Sequence, residues 1–477
     1  LQSSRKRNPA LRPALAAGLL ACALAGCLPI EKPDAKLDVP AQYKAEKGRP
    51  GGAPSWVAWW RAFRSPELTR LMEAVETDNF DIGAAVYRIQ QADAQARIAG
   101  AALLPTLDAS GAVTRSHTGA GSPGGSGSGG IDRTALNVGL NASYEIDFWG
   151  KNRAALIAAE HSANASRFDR DTVALSTLAS TATTYFAMLG AQDRLRIARD
   201  NLASATRVLD LIKQRVAVGT GTSLDQAQQE TVVAQLRAAI PPLDQQIDQD
   251  KATLGVLLGR APERVTIVGG GTGRVALPRI NPGLPSELLA RRPDIQSAEE
   301  QLSAASADVT VARAQFFPSI QLTGQGGFES TALSRLFGPG AGFFSLAAGI
   351  TQPIFQGGRL QGQLEQAKGR EGELLETYRK SVVSAFADVE RALVAVRQLA
   401  RQEALQAQAV ESSRKAYQIS EQRLREGTVD IVTVLNTQTS LFQSQDALAQ
   451  VRLARLQALV SLFQALGGGW DVAPGRT

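Results

Sequence analysis

The sequence predicts a mixed fold: a share of a membrane β-barrel joined to a long bundle of α-helices, in a chain that is internally duplicated. Three observations carry this expectation. Short motifs recur in the same order at a nearly constant offset. Four segments alternate apolar and polar side chains over about ten residues each, the pattern of barrel strands. Two helical segments run 69 residues each, Gly150 to Val218 and Gly358 to Glu426.

The duplication comes first, because it organises everything else. Gln214-Arg215 and Gly219-Thr220 recur as Gln422-Arg423 and Gly427-Thr428, 208 positions later. Leu103-Leu104-Pro105 recurs as Phe316-Phe317-Pro318 at an offset of 213, and Phe148-Trp149-Gly150 as Phe355-Gln356-Gly357 at 207. Three matches in order imply a repeated unit of about 200 residues. The chain then divides into a leader (1–26), an N-terminal segment (27–65), a first repeat (66–283), a second repeat (284–466) and a tail (467–477).

Each repeat reads helix, strand, loop, strand, long helix, turn, helix. The strands fall within 104–148 and 318–355. Leu107, Ala109, Gly111 and Val113 share one face, against Thr106, Asp108, Ser110 and Thr114. Leu136, Val138, Leu140, Ala142, Tyr144 and Ile146 alternate with Asn137, Asn141, Ser143, Glu145 and Asp147. In the second repeat Ile320, Leu322 and Phe328 oppose Gln321, Thr323, Gln325 and Glu329, and Phe344, Leu346, Ala348 and Ile350 alternate with Ser345, Gly349 and Thr351. A period of two with one apolar face suits a lipid-facing strand. Four strands do not close a membrane barrel, which needs about eight or more, and unpaired strand edges are not tolerated in lipid. Several copies must therefore complete it, three giving twelve strands. The strand connections, Gly119 to Gly130 and Thr331 to Gly342, read as exposed loops.

The helices follow from their lengths. Pro66 to Ala102, Thr222 to Gly259, Pro285 to Phe316 and Asp430 to Leu466 are each about half of a long helix, so two short helices end to end match one long one, as a nearly parallel bundle requires. Ala385, Val389, Ala392, Val396, Leu399, Glu403, Gln406 and Val410 follow the four-three spacing of a coiled-coil seam. Gly219 and Gly427 suit helix C-caps that need positive φ. Thr222 or Ser223, and Asp430, suit the N-caps that follow, with Thr222 and Asp225 at capping-box spacing. Each repeat thus folds back as a helical hairpin with a tight tip.

The N-terminus carries Arg5, Lys6, Arg7 and Arg12 without an acid, then an apolar run from Ala14 to Ala25. This is the order of a secretion signal, and the run is too short for a comfortable transmembrane helix. Leu24-Ala25-Gly26-Cys27 is similar to the lipobox of bacterial lipoproteins. That similarity implies cleavage, lipidation of Cys27 and, with Leu28 following, sorting to the outer membrane. The formal net charge of the chain is +6. Four positive charges lie in the leader, so the remainder is +2, and no basic block is left to recognise nucleic acid.

Other chemistries find little support. Two Cys do not make a disulfide scaffold. His117 and His161 have no partner at metal-ligand spacing, and no cofactor is expected. Ser412 to Lys415 matches a Ser-x-x-Lys pattern but lies within a long polar helix. Gly125 to Gly130 matches a Gly-x-Gly-x-x-Gly pattern outside any βαβ context. A mean hydropathy of −0.10 argues against a polytopic helical membrane protein. No enzyme activity is expected.

Leu284 to Ile295 with Arg291-Arg292-Pro293-Asp294, Tyr144 to Lys151, Trp59-Trp60 with Phe63, and Ala465 to Trp470 together resemble the outer membrane factor family of TolC-like channels, in its lipoprotein branch. The resemblance covers nearly the whole chain after the leader. It implies a homotrimer with a twelve-stranded barrel in outer membrane lipid, a helical barrel roughly 100 Å long in the periplasm, and a collar around 27–64, 261–283 and the C-terminus. It further implies an exit duct working with a periplasmic adaptor and an inner-membrane RND-type transporter, passing small molecules such as drugs. Protein export and an envelope-spanning structural lipoprotein are the alternatives. By the same resemblance the hairpin tips, Arg215, Gly219, Thr220, Arg423, Gly427 and Thr428, contact the adaptor, and the closing segment carries a periplasmic gate. Relatives often have Asp at the position of Asn436 and a basic residue at that of Thr439. The expectation here is therefore an apolar gate of Val432 and Leu435, next to Asn436, with Asp225 supplying cation selectivity. The Arg291-Arg292 pair is expected to be structural, and Phe148-Trp149 to anchor at the membrane interface.

Overall fold

The computed structural model describes residues 28–37, 39–45, 56–119 and 131–468. Cys27, the leader, the Gly125 to Gly130 stretch and Trp470 lie outside the described residues. In chain order the elements are α1 (Pro66–Asp78), α2 (Phe80–Ala101), β1 (Thr106–Thr118), β2 (Ile131–Ile146), α3 (Lys151–Ala217), α4 (Ser223–Ala238), α5 (Ile240–Leu257), α6 (Pro285–Arg291), α7 (Pro293–Ala314), β3 (Ser319–Ser330), β4 (Gly342–Thr351), α8 (Arg359–Arg425) and α9 (Ile431–Ala465).

Both long helices are continuous over 67 residues. Three of the four shorter helices are interrupted where the sequence reading ran them through. Asn79 breaks the first. Its backbone is extended at ψ 129°, its side-chain oxygen accepts from Asp81 N at 2.9 Å and Ile82 N at 3.0 Å, and its amide donates to Leu257 O at 2.8 Å. It therefore caps α2 while fastening α5. Pro241 and Pro242 carry no N–H, and the chain changes helix at Ala239 just before them. Arg292 is extended ahead of Pro293, as the residue before a proline prefers, and separates α6 from α7.

Two compact bodies divide the chain, and each takes parts of both repeats. In one, residues 89–165 and 298–378, the strands form an antiparallel sheet in the order β1-β2-β3-β4. The central pairing, β2 with β3, joins strands of different repeats. Trp149 stacks on Phe317 with ring centroids 4.7 Å apart and donates from Nε1 to Pro318 O at 2.8 Å. It thus ties together the strand-to-helix junctions of the two repeats. Of the two connections read as bare loops, the second carries a short turn, and its Phe337 packs edge-on against Phe328. Both histidines face carboxylates that are distant in sequence: His117 Nδ1 is 2.9 Å from Asp132 and His161 Nδ1 is 2.6 Å from Glu300.

The other body has an aromatic core. Trp59 stacks on Phe463 at 5.1 Å, and Phe63 lies between Phe186 and Phe463. Around it, α1, α3, α5 and α9 contribute Leu68, Met72, Leu178, Met188, Leu254 and Leu459. A loop after α5 docks here through carboxylates that capture its backbone N–H groups. Glu67 accepts from Val268 and Gly269, and Asp193 accepts from both N–H and hydroxyl of Thr272. Gly271 has φ +86°, and a Cβ there would fall 2.2 Å from Asp193 Oδ1, so the docking needs glycine. Tyr185 donates to Glu67 at 2.9 Å, and burial first, then that carboxylate, pushes its pKa up to about 12. The predicted coiled-coil seam is real: Ala385, Val389, Ala392 and Val410 are buried, and Val396, Leu399, Glu403 and Gln406 are half-buried.

Arg292 is the keystone of this body. Its fork grips Asp294 at 3.0 and 2.6 Å, and Nη1 reaches both Asp388 and Ala465 O at 3.3 Å. Burial works against its charge, but the bonds and charges of Asp294 and Asp388 outweigh burial and hold the pKa above its ordinary value. The side chain is 13% exposed. Arg292→Ala leaves Asp294 and a helix-end carbonyl without this partner and Asp388 with Arg391 alone, a loss of about 1.5–3 kcal/mol. Arg292→Lys keeps charge without the fork and should fall between. Thermal unfolding of the two variants checks this order; equal, unshifted midpoints contradict it.

Candidate functional site

Two features of the fold can carry function. The first is the sheet, whose register sorts every strand onto the same two faces. Leu107, Ala142, Gly324 and Leu346 pair in one row, and Ala109, Leu140, Gly326 and Phe344 in the next. On the opposite face Asp108, Asn141, Gln325 and Ser345 form one row, and Thr106, Ser143, Thr323 and Ala347 another. Hydrogen bonds cross-link this polar face, from Asn141 to Ser110 Oγ and from Gln321 to Ser143 Oγ, both 2.8 Å. The apolar face is bare, with Val113 74% and Phe344 84% exposed. So wide an exposed apolar face marks contact with lipid or another chain. Where the strands give way to helices, a cleft of about 500 Å³ is lined by Glu145, Lys151, Trp149, Gln356 and Arg359 among others. Among the described residues no helix is long and apolar enough to cross a membrane.

The second feature is the pair of hairpin tips. Gly219 and Gly427 both have φ +77°, the left-handed conformation that glycine adopts without steric cost. In the first tip Gly219 N donates to Val216 O at 3.0 Å and Thr220 N to Arg215 O at 2.8 Å. In the second, Gly427 N donates to Leu424 O at 3.1 Å and Thr428 N to Arg423 O at 2.9 Å. The Thr220 and Thr428 hydroxyls each add a bond of 3.2 Å to the same carbonyls. The two tips are one backbone motif built twice. The next helices start on the predicted caps. Thr222 and Asp225 form a reciprocal capping box, and Asp430 accepts from Thr433 N at 2.9 Å.

Side chains then distinguish the tips. Arg215 is half-buried and donates from Nη1 to Leu424 O at 3.1 Å, so it holds the end of α8 as well as its own turn. Arg423 is exposed. Beneath the tips Val208, Ile212, Tyr417, Leu424, Ile431 and Val434 form a small core. Of the gate residues named from sequence, Val432 and Asn436 are exposed, while Leu435 is half-buried and packs on that core. Asp225 has its carboxylate engaged in the capping box. Arg215, Asp225, Asp430 and Val432 meet around one cavity of about 180 Å³. Sequence reasoning did not foresee the burial of Gln438, whose amide is 3.4 Å from Tyr417 OH, or of Gln229, whose amide donates to Ala205 O at 2.8 Å. A glutamine on an otherwise polar helix gives no sign of its burial.

Gly427→Val should cost about 1–2 kcal/mol at the tip, since a branched residue must adopt the left-handed region; amide hydrogen exchange at 420–435 reads the loss of protection. Asp430 adds a pH dependence. Bonds from the hydroxyl and N–H of Thr433 hold its carboxyl below the ordinary carboxylate range. The contribution of this cap is complete above that range and disappears as pH falls through the lowered value. Exchange at 431–434 should therefore quicken on acidification in the parent, and Asp430→Asn should flatten that response.

Comparison with known proteins converges on one family. A family model described as outer membrane efflux protein matches residues 71–260 and 284–468. The chain is 41% identical to the pyoverdine export outer membrane protein OpmQ of Pseudomonas aeruginosa, over 92% of this chain and 93% of that one. It is 34% identical to the solvent efflux pump outer membrane protein SrpC of Pseudomonas putida, over 86% and 87% of the two chains. Among solved structures, the outer-membrane channel OprN matches with a TM-score of 0.86 at 27% identity, covering 93% of this chain and all of that one. The sheet with one lipid-ready face, the long paired helices and these likenesses agree: the chain belongs to the outer membrane efflux protein family, and is an efflux channel protein of the bacterial outer membrane.

Proposed function

We propose that the protein is the passive exit duct of a tripartite efflux complex, joined to a periplasmic adaptor and an inner-membrane RND-type transporter, and that it acts as a homotrimer whose twelve strands close one barrel. The observation that carries this reading is the register that sorts all four strands onto one apolar and one polar face. In lipid the apolar face turns outward, and the polar face, with Asp108, Asn141, Gln321 and Gln325, wets a central passage. The duct supplies no chemistry of its own. Energy and selection come from the partners at its inner end. Lipidation at Cys27 adds an anchor, each buried methylene of an acyl chain contributing about 0.8 kcal/mol.

The tips are the docking site for the adaptor, through Arg215, Gly219, Thr220, Arg423, Gly427 and Thr428. Their turns leave the side chains of Arg423 and Thr428 in solvent, available to a partner. Val432, Leu435 and Asn436 line the closing segment, with Asp225 beside it. The cargo is a small organic molecule. The likeness to OpmQ, named for pyoverdine export, supports a secreted siderophore, and the likeness to SrpC, named for solvent efflux, supports organic solvents.

Deleting the gene and measuring both secreted siderophore and susceptibility to a drug, dye and solvent panel tests the reading. Loss of secretion or gain of susceptibility, restored by the intact gene, is expected; no change in either contradicts it. In planar bilayers the purified protein should conduct, and Asp225→Asn should weaken its cation preference. An unchanged preference removes Asp225 from the selectivity role. Gly427→Trp should reduce retention of the cognate adaptor in a pull-down, and full retention counts against docking at the tips.

A further inference from the structure

The sheet contains one junction between repeats, β2 against β3, and its outer strands β1 and β4 have free outer edges among the described residues. The reading of the protein as a homotrimeric barrel, on which this inference rests, makes β4 of one copy meet β1 of the next. That meeting is the second junction between repeats. Because the repeats are copies of one unit, the junction inside the chain is a template for the junction between chains.

The correspondence has internal checks. Pro105 and Pro318, at the entries to β1 and β3, stand 213 positions apart; for the second strands the tip offset of 208 applies and not the 207 of the Phe148 motif, because an odd shift would exchange the two faces. Moving β1 by 213 and β2 by 208 turns the observed pair Thr106 with Ser143 into Ser319 with Thr351, which is the pair observed between β3 and β4. The same shifts keep apolar residues on the apolar face, since a one-residue error would exchange the faces.

Applied to the β2–β3 junction, the shifts specify the missing one. Ser143 with Thr323 becomes Thr351 with Ser110, Ala142 with Gly324 becomes Ile350 with Gly111, and Ile146 with Ile320 becomes Ile354 with Leu107. Ala348 likewise meets Val113, while nearer the loop end Leu346 and Phe344 meet Arg115 and His117 on the same face. We infer that β4 of one copy pairs antiparallel with β1 of the next in this register, Thr351 opposite Ser110, and that the pairing extends β4 through Ile354. An independent observation favours the extension. Residues 352–356 form no strand, yet Ile354 is 89% exposed, whereas its repeat counterpart Ile146 lies in a paired strand and is half-buried. Ile354 lacks the neighbour that Ile146 has in Ile320, and Leu107 of the next copy, 68% exposed, supplies it.

The test uses cysteine pairs in the full chain, whose own cysteines are Cys22 and Cys27. Directly opposed residues have Cβ atoms about 4.5–5.5 Å apart and diagonal ones about 7–8 Å, so oxidation separates registers. Ser143→Cys with Thr323→Cys, the pair inside the chain, is the control and should link within one chain. Ser110→Cys with Thr351→Cys should link between chains, giving dimer and trimer bands on a non-reducing gel. Ser110→Cys with Gly349→Cys, or with Pro353→Cys, should link at least about tenfold less, being diagonal. If a shifted pair links best, the register is wrong and the trimer stands. If the control links and none of the three edge pairs does, both the register and closure by a second copy fail. Planar-bilayer conductance of the same samples then separates loss of the junction from loss of the channel.

Discussion

A peptide group in hydrocarbon has no water to bond with, and that constraint governs this molecule. Each strand must find a partner on both sides. Among the described residues of one chain the demand is met at three junctions and left open at two edges, so the sheet of one chain is an incomplete object. The helices answer the same demand internally, because each long helix pairs its own backbone over 67 residues. A chain can therefore change from strand to helix at the membrane boundary without orphaning its backbone. That is where Trp149, Phe317 and Pro318 hold the changeover, with an indole bond to the last carbonyl before β3.

The parts of the fold that depend on local pattern were legible in the sequence. Period-two alternation identified the strand faces, and the paired registers bear this out row by row. The tip glycines and caps were legible because a left-handed residue and an N-cap each need particular side chains. The helix breaks were not. Asn79 looks like any polar residue on a solvated face; it caps α2 through Asp81 and Ile82, but the bond that fixes it there reaches Leu257, 178 positions away. The prolines at 241 and 242 were visible, but a proline at a helix start and one inside a helix look alike without the neighbouring turns.

The site was legible to a similar degree. Arg292 was recognised as structural, yet its partners Asp388 and Ala465 lie 96 and 173 positions away. The loop after α5 was placed only within the collar, since its glycines carry no side-chain signal of how it docks. Its order comes from Glu67, Gln192 and Asp193, which accept its N–H groups from other elements. Long-range pairing of this kind leaves no periodic trace. Among the gate residues, Leu435 shows the same limit: the family resemblance placed it in the gate, while its packing on the core beneath the tips is a tertiary outcome.

The twin tips have a consequence for counting. Their backbones make the same turn hydrogen bonds, but Arg215 is occupied with the carbonyl of Leu424 and Arg423 stands in solvent. Three copies around an axis would present six turns of equal shape in two alternating chemical kinds. A partner that reads only the curve of the backbone finds six equivalent seats. One that needs a free guanidinium finds three. The stoichiometry of assembly would thus be written in one arginine, by whether it turns toward its own chain or away from it.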